Sequence, residues 1–336
     1  MTSSVAEGEP TTFAGSELEQ AMASYRRELT GFCYRMLGSG SEAEDAVQET
    51  MVRAWRAIDR FEGRSSLRSW LYRIANNVCV DMIRSPQRRA RPMDMGPSTA
   101  TADVVLGAPT AEHAFVQPIA DQRVVPAEGD PAELAAARES IRLAFVAALQ
   151  HLPARQRSVL ILCEVLKWQA TEAAELLETS VASVNSALQR ARATLAELSF
   201  EQLDSTLDPR HQELLERYVD AFERYDIPEL VGLLRDDVIL SMPPFEFWME
   251  GSQDLADWFL GEGIVCQGCR LLPIQVNGTA GFGNYHKVGP GRWEAWGIQI
   301  IDVADGQIVG HHNFLYPEMF PEFGLPMTIE EPVEPA

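Results

Sequence analysis

Six side chains in the stretch "SVASVNSALQRARATL", residues 180–195, carry groups that suit reading a nucleic-acid groove. Ser183, Asn185, Ser186 and Gln189 are short or mid-length hydrogen-bonding side chains, and Arg190 and Arg192 add cations. Groove recognition uses such groups: polar side chains on a helix meet base edges, and cations hold the phosphates that fix the register. No acidic residue lies between Glu178 and Glu197, so the local field is positive. The exposed face of an ordinary helical bundle has a similar composition, and spacing alone leaves both readings open.

A second set of groups has acid/base chemistry. Asp237, Glu246, His286, Glu294, His311 and His312 fall in strand-like sequence or adjoining loops, and an acid/base pair in an apolar pocket can take a proton from beside a carbonyl. No spacing singles out such a pair, and the adjacent His311 and His312 must point to opposite faces of a strand. Histidines satisfied in the core or on the surface are the simpler account, and no catalytic residue is assigned. Cys266 and Cys269 form a lone C-x-x-C with no second pair, so no metal and no cofactor are expected. "GFG" at 281–283 reads as a bend in a strand.

The elements that position these groups follow from periodicity. Residues 1–20 read as a flexible N-terminus. Leu29, Phe32, Cys33, Met36 and Leu37 then repeat at helical spacing up to Gly38 and Gly40. Ser41 and Glu44 have the spacing of a capping box, and the helix they open is expected to turn Val47, Met51, Trp55 and Ile58 inward. After "FEGRSSL" another helix is expected to bury Leu67, Leu71, Ile74, Val78 and Met82, leaving Arg68, Tyr72, Arg73, Asn76 and Asn77 at or near the surface. Residues 92–132 read as a Pro/Ala/Gly/Thr-rich linker with a docked extended piece at "VQPIADQRVVP". Helical sequence resumes at Pro131. "TEAAELL", the turn "ETS" and the groove-reading stretch make a helix-turn-helix, with Val181, Val184, Leu188, Ala191 and Leu195 inward. From 205 to 329 helices precede a run of strands with a hairpin signal at Asp305-Gly306, and residues 330–336 are a tail. That order suggests an α+β domain whose helices pack inside a curved sheet.

The chain has 336 residues, a length that favours several domains, and a formal net charge of −21. The acidity is uneven: residues 1–91 sum to +1, 92–129 to −4, 130–200 to −1 and 201–336 to −17. No apolar run is long enough for a membrane span, and five cysteines without an even framework favour a reduced, cytoplasmic setting.

"SEAEDAVQETMVRAWRAIDRFEGRSSLRSWLYRIANNVCVDMIR" together with "ALQHLPARQRSVLILCEVLKWQATEAAELLETSVASVNSALQRARATL" resembles the extracytoplasmic-function (ECF) sigma factors of the sigma-seventy superfamily. The resemblance covers about half the chain as two blocks in the family's order. It implies two all-α sigma domains, region 2 at 21–91 and a helix-turn-helix region 4 at 133–200. It also implies binding to the beta-prime and beta subunits of the RNA polymerase core, and recognition and melting of promoter DNA.

By this resemblance the helix over 41–60 grips the beta-prime subunit through Asp45, Gln48, Glu49, Arg53 and Trp55. The loop and helix over 61–84 read and melt the start-proximal promoter element, with Arg64, Ser65, Ser66, Arg68, Tyr72, Arg73, Asn76 and Asn77 as contacts. Trp70 lies beside the apolar stripe, where core packing is the alternative. Ser183, Asn185, Ser186, Gln189, Arg190 and Arg192 become the distal-element contacts, and the linker threads near the polymerase cleft.

"MPPFEFWMEG", "IQVNGTAGFGNY", "DVADGQIVGHHNF" and "FPEFGLP" resemble SnoaL-like, nuclear-transport-factor-two-like domains fused to some of these sigma factors. The implied fold is a cone of curved sheet around an apolar pocket, lined or filled by Trp248, Trp258, Trp293 and Trp296. By this resemblance such domains are enzymes in some proteins and ligand or interaction modules in others, so a small-molecule ligand of the cone is one expectation. The acidity of 201–336 is what motivates modulation in cis, through contact with the sigma domains. The competing readings are a helix-turn-helix repressor, which leaves the first block unexplained, and a DNA-binding module fused to an isomerase- or cyclase-like enzyme.

Overall fold

The computed structural model describes residues 15–58, 61, 63, 65–83, 89–104, 106–198, 203, 204 and 208–331. The chain divides into two compact units, one from Met1–Pro86, Arg123–Pro126 and Leu152–Leu195, the other from Gln87–Gln122, Ala127–His151 and Ala196–Ala336.

The first unit begins with α1 (Gly15–Ser24), α2 (Arg26–Leu37), α3 (Gly40–Ala57) and α4 (Leu67–Met82). Gly38 closes α2 in the left-handed region that glycine adopts without strain. α3 is capped by Ser39, which accepts from the Glu42 backbone N–H at 3.3 Å, so the cap lies two residues before the expected Ser41 box. Its buried stripe is Ala43, Ala46, Val47, Thr50 and Ala54. Small residues there let α2 and α3 pack closely, and Trp55, expected inward, is 62% exposed instead. Met82 is likewise exposed where burial was expected.

α5 (Pro131–Glu139) and α6 (Leu143–Gln150) belong to the second unit; α7 (Ala154–Leu160), α8 (Ala170–Leu176) and α9 (Val181–Ala196) return to the first. α7 packs on α2 and α4, and α8 packs on α4. Buried Arg157 donates to the carbonyl of Met36 and, at 3.1 Å, to that of Leu152. The first of these satisfies a carbonyl in the last turn of α2, where helical partners run out. Gln169 and Glu172 cap α8, and Glu178 at φ 50° turns the chain into α9. Val184, Ala187 and Ala191 anchor α9, whereas Val181, expected inward, is exposed.

The second unit is an α+β cone. Besides α5 and α6 it holds the helices α10 (Pro209–Arg224), α11 (Ile227–Gly232) and α12 (Ser252–Leu260). Its strands are β1 (Leu234–Ser241), β2 (Trp248–Glu250), β3 (Arg270–Val276), β4 (Thr279–Gly289), β5 (Arg292–Ala304), β6 (Gln307–Phe314) and β7 (Thr328–Glu330). The sheet order is β2-β1-β6-β5-β4-β3 with β7 added on β5; β1 and β6 are parallel and the other pairs antiparallel. Asp208 caps α10 and Pro209 opens it, so the helix enters the cone with Tyr218 and Phe222 facing the sheet. Register shifts within β4–β5 and β5–β6 accompany the curvature.

Two hairpins have left-handed residues at both turn positions, Asn277-Gly278 (φ 51° and 71°) and Asp305-Gly306 (φ 52° and 73°). The linker is a strap over this unit. Thr99 N–H donates to the Trp248 carbonyl at 2.9 Å, the Trp248 indole donates to Gly96 at 2.8 Å, and the Thr101 hydroxyl donates to the backbone carbonyl of Asp254 at 2.9 Å. Farther on, Ala120 bridges Val276 at the edge of β3. The extended piece expected within 116–126 is thus docked as far as Gln122, while Arg123–Pro126 belongs to the first unit.

Candidate nucleic-acid and polymerase interfaces

On α3, Asp45 and Gln48 are exposed, and Arg53 bonds Glu49 at 2.6 Å and lies 3.7 Å from Asp81. Trp55 stands out beside them. A tryptophan this open on a helix whose core stripe is already filled is a surface group available to a partner.

The start-proximal set is divided. Ser66 caps α4 by accepting from Ser69 N–H at 3.1 Å, and Ser66 and Asn77 are exposed while Ser65 is half-buried. Arg64 lies outside the described residues. Tyr72 and Asn76, expected at or near the surface, are buried. Tyr72 packs between Phe32 and Trp168, with ring centroids 5.3 and 5.1 Å away, and its burial pushes the phenol pKa up. Asn76 accepts from the Ser158 hydroxyl at 2.6 Å. Arg68 bonds Glu28 at 2.7 Å and stacks over Trp168 at 5.1 Å; Arg73 reaches the Glu175 carbonyl at 3.4 Å and lies 3.8 Å from Glu178. Residues of the second block therefore cover most of this face. One helix's periodicity cannot reveal a partner 80–100 residues away. Trp70 packs on Phe61 at 5.0 Å, in line with the packing alternative.

The distal set is open. Asn185, Ser186, Gln189, Arg190 and Arg192 are exposed on α9, and Ser183 is half-buried. Arg155 donates to Ser183 at 3.1 Å, Arg190 donates to Ser186 at 2.6 Å, and Arg192 pairs with Glu164. Such exposed pairs are weak.

Inside the cone a cavity of about 200 Å³ is lined by Phe222, Trp258, Cys266, Trp296, Gln299 and His311 among others. At its polar end, Asn313 Nδ2 donates to His311 Nδ1 at 3.0 Å. Its other ring nitrogen, Nε2, then carries the proton toward Tyr218 Oη at 2.8 Å, and Tyr218 donates to Gln299 Oε1 at 2.9 Å. Burial lowers the His311 pKa to about 3, so the ring is neutral. Its one lone pair is already occupied by Asn313, which describes a satisfied core group rather than a free base.

His312 points the other way, as alternation requires, to Ser241 at 2.8 Å and Asp302 at 3.4 Å. Asp237 and Glu294 are exposed and paired with Arg235 and Arg292, and exposed Glu246 accepts from Thr110 at 3.0 Å. His286 instead lies beside Cys266, its Nε2 3.8 Å from Sγ, a proximity that sequence spacing did not show. Of the tryptophans, Trp258 and Trp296 line the cavity.

Sigma-70 region 2 matches residues 21–89 and Sigma-70, region 4 matches 142–195. The ECF RNA polymerase sigma factor SigG of Mycobacterium tuberculosis (strain ATCC 25618 / H37Rv) is 40% identical over 316 residues, 91% of this chain and 83% of that protein. SigJ of the same strain is 27% identical over 308 residues, 88% of this chain and 90% of its own. The crystal structure of Mycobacterium tuberculosis SigJ superposes with a TM-score of 0.59 at 22% identity, covering 93% of this chain and all of that one, so the fold extends through the C-terminal cone. With both sigma blocks matched and a 40% identical relative spanned over most of its length, the chain belongs to the ECF sigma factors.

Proposed function

We propose that the free protein presents one promoter contact and withholds the other. The observation that carries this reading is the contrast between α9, whose polar and cationic face is open, and α4, whose Tyr72 and Asn76 lie under Trp168 and Ser158. Melting needs aromatic and polar groups free to hold an unstacked strand. Polymerase binding, through the beta-prime and beta subunits in the cytoplasm, separates the two blocks. Asp45, Gln48, Glu49, Arg53 and Trp55 grip the core. Ser65, Ser66, Arg68, Tyr72, Arg73, Asn76 and Asn77, with Arg64, then meet the start-proximal element, and the α9 set meets the distal one.

Run-off transcription with purified core, on genomic fragments, tests this. Trp55→Ala should leave the melting temperature within error, because the indole is exposed, and weaken core binding at least tenfold. Trp168→Ala removes the cover of Tyr72 and should increase binding to a single-stranded start-proximal element by the free protein. Unchanged core binding in the first variant, or unchanged strand binding in the second, contradicts the respective assignment.

The cone acts in cis. Its supporting observation is the strap: the segment expected to thread near the polymerase cleft is bonded to Trp248, Asp254 and Asn277 of the same unit. Release of the strap is then a step in assembly, and a small apolar ligand of the cavity would bias it. Run-off transcription by Thr101→Val, which deletes the hydroxyl bonded to Asp254, should differ from wild type at equal protein concentration; equal transcription contradicts this role.

A further inference from the structure

We infer that Cys266, Cys269 and His286 form a binding site for a thiophilic divalent cation of the zinc class, at the wall of the cone cavity. Their donor atoms all lie within 4.8 Å of one another. Cys266 Sγ and His286 Nε2 are 3.8 Å apart, whereas a tetrahedral ion with bonds of about 2.3 Å to sulfur and about 2.0 Å to nitrogen spaces its ligands by about 3.5–3.8 Å. Small side-chain adjustments close the remaining gap.

The local fold places the donors. Cys266-Gln267-Gly268-Cys269 is a turn with Gln267 at φ −63°, ψ 121°, Gly268 at φ 80°, and Cys269 N–H bonded to the Cys266 carbonyl at 3.1 Å. These are type II turn angles, which demand the glycine and bring the first and fourth side chains together. The third donor comes from the β3–β4 hairpin. Arg270 pairs with Tyr285, so continuing that register by one residue sets Cys269 opposite His286.

The surroundings hold this arrangement in place. Trp293 Nε1 bonds Gly268 O at 2.8 Å, and Tyr225 Oη bonds Gly263 O at 2.7 Å. Trp296 stacks on the His286 ring at 4.0 Å and 17°. The cysteines are reduced and buried. Binding a dication releases two thiol protons and leaves a site with no net charge, which suits a buried position. Among the described residues no fourth Cys, His, Asp or Glu joins the cluster, and Cys266 lines the cavity, so the remaining coordination position is filled from there.

The test uses reduced, chelator-stripped full-length protein titrated with cobalt(II), followed by zinc(II). One equivalent of cobalt should give the visible bands of a four-coordinate ion with thiolate charge transfer, and zinc should bleach them. Cys266→Ser or Cys269→Ser should weaken the thiolate band, and the two substitutions together should abolish it. His286→Gln, at a half-buried position, should weaken binding at least tenfold while the far-ultraviolet circular dichroism stays unchanged. Cys163→Ser should bind like wild type. Zinc should also raise the melting temperature of the wild type and not of the cysteine variants. No thiolate band in the reduced wild type, a band that survives both cysteine substitutions together, or cysteines that act only as a disulfide pair would overturn the inference.

Discussion

His311 and Asp121 are both buried, and their pH effects oppose each other. His311 has its folded pKa near 3, below the ordinary 6.5, because burial disfavours the cation. Between those values the unfolded chain holds a proton that the folded chain does not, so stability falls as pH drops from 6.5 toward 3. Asp121 in the strap is raised from 3.8 to about 6, chiefly by burial, against the pull of the Gly278 N–H and Arg138. Here the folded state binds the extra proton, so stability rises as pH falls from 6 toward 3.8. Asp121 Oδ1 accepts from Gly278 N–H at 2.8 Å, while Oδ2 is buried without a hydrogen-bond partner and is where that proton resides. Asp121→Asn should therefore stabilise the protein at pH 7, by up to about 3 kcal/mol from the shift of about two units. It should also steepen the loss between pH 6 and 4 by as much as one proton's worth, about 1.4 kcal/mol per pH unit. Denaturant melts across pH check both, and parallel curves for the two proteins refute the assignment. Tyr218→Phe leaves Gln299 Oε1 buried without its donor and should cost about 1–3 kcal/mol in the same melts.

The Asn277-Gly278 turn shows what one element can specify. Both residues have positive φ, the geometry of a two-residue hairpin loop that matches the twist of β3 and β4. Asn277 is also a clamp: its Oδ1 accepts from Ile119 N–H at 2.9 Å and its Nδ2 donates to Ile141 O at 2.7 Å. A Cβ on Gly278 would lie 2.3 Å from the Arg138 carbonyl oxygen, which is backbone and cannot swing aside. Gly278→Ala combines that clash with an unfavourable φ and should destabilise the second unit by several kcal/mol, loosening the strap and the end of α5. Hydrogen exchange at Ile119, Asn277 and Gly278 would show it, and unchanged protection there would contradict the clamp.

Asp305-Gly306 was legible as a hairpin because strand-like sequence flanks it closely, and α9 with its open polar face was legible from its helical spacing. The role of Asn277 was not, since its partners come from the strap and from the segment after α5. The same limit hid Trp168 over Tyr72, and His286 beside a C-x-x-C seventeen residues earlier. Trp55 misled in the other direction. Helical spacing put it on the inner stripe, yet the small residues Ala43, Ala46, Thr50 and Ala54 already fill that face.

At the scale of the molecule, charge and topology act together. The last 136 residues carry −17 of the net −21, while α9, the helix proposed to meet the distal promoter element, is free of acidic residues. A tethered polyanion competes with DNA for such a surface, and both interactions weaken with salt, the DNA contact more steeply because each neutralised phosphate releases counterions. A chain ending at Asp204 should therefore bind promoter duplex more tightly at low ionic strength, with the advantage over the full-length protein shrinking as salt rises. The same truncation removes the sheet against which the strap is bonded, so transcription with core polymerase should change beyond what duplex affinity predicts. The two effects separate in one comparison. Neutralising exposed acids of the cone, such as Asp236 and Glu250, with Asn and Gln leaves the strap in place, so it should reproduce the gain in duplex binding without the change in transcription. Equal duplex affinity for full-length and truncated chains at every salt concentration would remove charge competition, and equal transcription would remove the strap, as the means by which the cone acts.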